Sequence, residues 1–190
     1  MWQTVIHTWA YAVLAVTLIV AAVTDVRTGK IYNAVTYPAV VVGLVGHTLV
    51  AVFAGDGYEG VLGPAGALGG LAVGFLPLFV AWRAGGIGGG DAKLMAAVGA
   101  LTGVNFAVTA LAYGLVVAAL MAVGVMIQRR VVRQTFGRIG RFLYIGMLRG
   151  KPADPATAES PKIAFGLALC IGSAGAMVEL FVRGRVMFEA

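Results

Sequence analysis

The chain has 190 residues, 60% of them hydrophobic and 12% charged, with a mean hydropathy of +0.93. So little polar surface cannot close a soluble globule, which excludes a water-soluble enzyme and predicts an integral membrane protein. The formal net charge of +6 raises nucleic acid as a partner, but the arginines stand beside apolar spans, so membrane lipid is the expected partner and nucleic acid is not.

Residues 4–24 form the first apolar span, with no basic stretch before it and the first positive charges, Arg27 and Lys30, after it. That order differs from a cleaved signal peptide and predicts an amino terminus outside and a cytoplasmic loop at 25–33. Asp25 stands at the end of this span. Apolar runs of spanning length follow at about 34–54, 61–82, 106–127 and 163–182, each near the roughly 20 residues a bilayer requires. Ahead of the fourth of these spans lies Gly85-Gly86-Ile87-Gly88-Gly89-Gly90-Asp91, followed by Ala92-Lys93-Leu94.

A single helix from Leu94 to Gln128 would rise to roughly 50 Å, well beyond a hydrocarbon core of about 30 Å. The turn signal Thr102-Gly103-Val104-Asn105 predicts a break, giving helices at 92–103 and 106–127. The break also keeps Arg129, Arg130, Arg133, Arg138, Arg141 and Arg149 on the side of Arg27 and Lys30, leaving only Arg183 and Arg185 outside. The expected fold is all-α: a polytopic bundle of six transmembrane helices, both termini outside, forming one membrane domain over 1–190 with a basic cytoplasmic segment at 128–162.

Several features have plain structural readings. Asp56 and Glu59 fit a solvated outer turn, and Asp154 lies in a proline-marked loop from Lys151 to Pro161. The 128–150 stretch reads either as an amphipathic helix on the cytoplasmic interface or as a solvated basic loop. The sole cysteine, Cys170, fits a small core residue and allows neither an internal disulfide nor a cysteine-based zinc site. No metal and no cofactor is expected.

The two aspartates are different. A carboxylate costs at least roughly 2.5 kcal/mol at the centre of a membrane helix and less towards the interface, so each asks for a partner or a function. In the expected topology Asp25 ends the first helix and Asp91 starts the fourth, at the same cytoplasmic depth. Two carboxyls within hydrogen-bond reach do not both ionise cheaply, so one keeps a proton and the pair titrates in two steps. The ionised member can take a proton from water while the protonated member polarises a peptide carbonyl, the division of labour of an aspartic protease. A histidine-based triad has no support, since His7 and His47 fall in the outer half and Cys170 has no histidine at its depth. The glycines before Asp91 fit either a flexible loop or a segment that lets an extended substrate backbone approach the carboxylate. A phosphate cradle fits poorly, because no strand precedes it and an aspartate opens the helix.

At these residues the sequence resembles the type IV prepilin peptidases, the GxGD class of membrane aspartyl proteases. Gly88-Gly89-Gly90-Asp91-Ala92-Lys93-Leu94 matches G-x-G-D-x-K-L. Asp25 with Ile31 and Asn33 matches an aspartate followed by Ile-Pro-Asn, with Tyr32 in place of the proline. Lys162-Ile163-Ala164-Phe165-Gly166-Leu167-Ala168 is a weaker match to the stretch that opens the last helix. The resemblance implies that Asp25 and Asp91 are catalytic, with Gly88, Gly90, Lys93 and Asn33 as motif or substrate-approach residues. It implies cleavage of the basic leader peptide of pilin-like precursors just after a glycine, at the cytoplasmic face of a bacterial plasma membrane. The absence of a cysteine-bearing insert makes the chain similar to the short form that serves Flp/Tad-type pili. Lys93 reads as a tuner of the dyad, as a contact for an acidic substrate residue, or as an interfacial lysine reaching the headgroups. Two other function classes compete: a small proton or cation transporter using the same aspartates, and a non-catalytic subunit of a pilus or secretion machine.

Overall fold

The computed structural model describes residues 2–54, 62–128 and 164–187. Among them are six helices and no strand: α1 (Trp2–Thr28), α2 (Asn33–Ala54), α3 (Gly63–Arg83), α4 (Gly89–Thr102), α5 (Val104–Gln128) and α6 (Phe165–Arg183). The Asp56/Glu59 turn, the basic stretch beyond Gln128, the proline-marked loop with Asp154, residues Lys162 and Ile163, and the side chain of His7 lie outside the described residues. The described residues fall into two compact units, one drawn from Met1–Val117 with Ala164–Ala190 and the other from Ala118–Ile163.

Five helices, all but α4, are long and apolar enough to cross a membrane. α4 has 14 residues, which reach about 21 Å, short of a hydrocarbon core of about 30 Å. The fourth of the six expected spans is thus a short helix, and its surroundings give the reason. Asp91, Ala92 and every residue from Leu94 to Leu101 are buried, because α1, α2, α3 and α6 pack around it. A helix lined by protein on all sides has no bilayer thickness to match.

α1 continues past the apolar run. Thr24 and Thr28 satisfy their hydroxyls on the helix itself, donating to the carbonyls of Ala21 at 3.0 Å and Thr24 at 2.8 Å. The helix then stops at Gly29, which has φ +63° and donates its N–H to the Asp25 carbonyl at 2.8 Å. Such a left-handed residue is the common helix terminator, and glycine adopts it without strain. Asp25 therefore sits within the last turn of α1.

The expected break after Thr102 is present. Gly103 has φ +83° and closes α4 with an N–H bond to the Gly99 carbonyl at 2.8 Å. A break leaves the last carbonyls of α4 without helical donors, and His47 of α2 supplies one: its Nε2 donates to the Leu101 carbonyl at 2.8 Å. The ring is buried against Trp9, with centroids 5.0 Å apart. Substituting His47→Leu removes that donor inside an apolar bundle, and the expected cost is about 1–3 kcal/mol, read as a lower unfolding midpoint in detergent.

Apolar side chains gain nothing by leaving lipid for protein, so close backbone approach must hold these helices together. Gly70 and Gly74 of α3 lie on Gly99 and Met95 of α4, and a Cβ on either Gly70 or Gly99 would strike the carbonyl of the other. Polar pairing adds a second tie. Glu179, a carboxylate in apolar α6 that sequence reasoning passed over, accepts from Tyr113 of α5 at 2.7 Å and from Arg183 at 3.0 Å.

Candidate active site

Asp25 is 7% exposed, and its Oδ2 accepts the backbone N–H of Leu167 at 2.9 Å, 142 residues along the chain. Leu167 belongs to the first turn of α6, whose own N-cap residue, Ala164, offers no side-chain acceptor. The aspartate of α1 supplies the cap that the local sequence lacks. The contact needs Gly166, since a Cβ there would lie 2.9 Å from Asp25 Oδ2 and 3.0 Å from Cγ.

Asp91 is 8% exposed and stands at the third position of α4, where its Oδ2 accepts the N–H of the N-cap residue Gly88 at 3.2 Å. Carboxylates favour this position because it satisfies an orphan donor. Gly88 has extended backbone angles, φ −75° and ψ 143°, open to any residue. Its lack of a side chain matters for room: a Cβ would lie 3.1 Å from Asp91 Oδ2. Each carboxylate thus meets the N-terminus of a helix, whose partial positive charge favours an anion there. Asp25 and Asp91 stand on helices α1 and α4, which pack against each other, and α6, which carries the buried Cys170, packs against both.

The remaining residues singled out from the sequence stand at the end of α1, in the connection after it and at the starts of α2 and α4. Lys93 Nζ donates to Asn33 Oδ1 at 2.8 Å and lies 5.2 Å from the centroid of the Tyr37 ring. The lysine of one motif is therefore bonded to the asparagine of the other, joining the start of α4 to the start of α2. Tyr32, in the place of a proline, leaves the start of α2 intact: the residue-32 carbonyl, which a proline would offer equally, accepts the N–H groups of Val35 at 3.0 Å and Thr36 at 3.4 Å. Gly90 meets Ile31, whose Cβ lies 3.0 Å from where a Cβ of residue 90 would stand. Arg27 and Lys30 are exposed at the end of α1 and in the loop after it.

Two contributions escaped sequence reasoning. The Leu167 amide has no side-chain signature, and only the weak Phe165-Gly166 match pointed to that region. Trp82 of α3 lies beside the glycine segment, with its Nε1 3.1 Å from where a Cβ of Gly89 would stand. It continues an aromatic row through Phe79, with ring centroids 5.5 Å apart. Chemically, two buried carboxyls on different helices, each holding one backbone N–H, can pass a proton between a water and a bound carbonyl.

The model of the type IV leader peptidase family matches residues 12–123. The matched stretch is more than half of the chain and contains both aspartates and the Lys93–Asn33 pair, and it ends before α6. No curated protein and no solved structure matches the chain. With its two aspartate motifs inside that match, the chain belongs to the type IV leader peptidase family.

Proposed function

We propose that the chain is a membrane aspartyl endopeptidase that removes the basic leader of type IV pilin-like precursors, of the Flp/Tad kind, just after a glycine. The observation that supports this reading is the placement of Asp25 and Asp91: two buried carboxylates from distant parts of the chain, on helices α1 and α4 that pack against each other, in a member of a leader peptidase family. Two buried carboxylates within reach of one another share a proton more cheaply than both ionise. The ionised member takes a proton from water, the resulting nucleophile attacks the scissile carbonyl, and the protonated member hydrogen-bonds the carbonyl oxygen. Collapse of the tetrahedral intermediate returns a proton to the leaving amine.

The location we propose is a bacterial plasma membrane, with all six helices embedded, both termini outside and the dyad at the cytoplasmic face. The arginine and lysine distribution supports that orientation, and the basic leader of a pilin precursor lies on that side. The substrate and lipid are the partners in this reading. A purified sample in lipid, incubated with a pilin precursor, is expected to release the leader as a peptide detectable by mass. An intact precursor after prolonged incubation, with folded protein, would reject the peptidase reading in favour of an assembly subunit.

A further inference from the structure

Asp25 and Asp91 stand on different helices, so their spacing depends on what lies between those helices near the carboxylates. The chain leaves α1 at Gly29 and re-enters a helix at Asn33. Within that short connection Ile31 turns inward and packs against the core. Its two ends meet two glycines. A Cβ at Gly90, the residue before Asp91, would lie 3.0 Å from Ile31 Cβ and 3.2 Å from the Ile31 carbonyl oxygen. A Cβ at Gly166 would lie 2.6 Å from Ile31 Cδ1 and 2.9 Å from Asp25 Oδ2. The Lys93–Asn33 hydrogen bond at 2.8 Å ties the connection to α4 two residues further on.

We propose that Ile31 is a positioning residue: wedged between Gly90 of α4 and Gly166 of α6, its side chain sets the distance between the Asp25 and Asp91 carboxylates. A β-branched side chain suits this task, because its restricted χ1 makes it a spacer of fixed width. The glycines complete the device, since a side chain at either would push Ile31 away. The catalytic consequence of this spacing rests on the peptidase reading, whereas the spacing itself does not.

The test therefore has an arm without substrate. The protein in lipid is titrated while the infrared band of protonated carboxyl is followed, with Asp25→Asn and Asp91→Asn assigning the signal. Two interacting carboxyls lose protons in two macroscopic steps that move apart as the groups approach. Ile31→Ala keeps the Cβ against Gly90 and empties the space beside Gly166 and Asp25, so α6 and the Asp25 carboxylate can close on α4, and the separation of the steps is expected to widen by about 1 pH unit. Ile31→Val, which removes only Cδ1, is expected to move it in the same direction by less, and serves if the alanine variant does not fold. In the cleavage arm, Ile31→Ala is expected to lower kcat by about 10- to 100-fold with KM within about 2-fold, since a displacement near 1 Å costs about 10²-fold. Unchanged step separation in both variants overturns the proposal. So does a raised KM at unchanged kcat, which makes Ile31 a substrate contact instead. Two coupled steps in a wild-type protein that cleaves no precursor reject the peptidase reading while the titration still decides the spacing.

Discussion

Asp25→Asn and Asp91→Asn are each expected to lower leader cleavage by about 10³-fold or more, and the double variant is expected to lose little beyond either single one, because groups acting as a unit are not additive. Asparagine is the informative replacement here. Each aspartate also caps a helix, Asp25 through the Leu167 N–H and Asp91 through the Gly88 N–H, and asparagine retains an oxygen that accepts those bonds. The fold is thus kept while the titrating group is lost. Alanine would remove the cap as well, at about 0.5–2 kcal/mol, and would mix instability with lost chemistry. The measurement is product mass against time, with unfolding midpoints recorded alongside. Substantial cleavage by either single variant would remove that aspartate from the mechanism. Asp56→Asn and Asp154→Asn serve as matched changes of charge outside both aspartate motifs and are expected to be nearly silent.

The largest loss of stability is expected from Gly99→Val. Gly99 and Gly70 meet backbone to backbone, and a Cβ on Gly99 would strike the Gly70 carbonyl. A rigid backbone cannot turn aside as a side chain does, so the helices must part, and the cost is about 3 kcal/mol or more, the upper end for overpacking. Because α4 carries Asp91 and α3 leads into the glycine segment, the same displacement should also lower cleavage. Gly175→Ala provides the contrast, since its nearest neighbour would be Tyr113 Cδ2 at 3.5 Å, an ordinary contact. Unfolding midpoints in detergent compare the two. A Gly99→Val protein as stable as the Gly175→Ala protein would show that α3 and α4 do not depend on this contact.

Much of the chain was legible from its sequence because a membrane imposes a coarse rule. Spans must be long and apolar, so α2, α3, α5 and α6 were readable within about two residues from hydropathy alone. The break at Gly103 followed from length, since one continuous helix would be too long for a bilayer. Asp25 and Asp91 stood out because carboxylates beside apolar spans are costly, and the residues around each carried the family resemblance.

Tertiary structure decided which surfaces meet. In a soluble helix an apolar stripe marks the buried face, but in lipid both faces are apolar, so hydropathy does not tell the enclosed helix from the exposed ones. That is why α4 read as one more span, although it is a short helix surrounded by four others. It is also why the cap on Asp25, a backbone amide 142 residues away, and the lodging of Ile31 between Gly90 and Gly166 could not be read from residue types. The glycines at 70 and 74, spaced one turn apart in α3, were a signal for close packing, but only their partner's backbone shows which helix they receive. Composition and spacing determined that two carboxylates stand at the ends of membrane helices; the fold alone decided what each of them meets, because backbone amides and missing side chains, which hydropathy does not weigh, set those contacts.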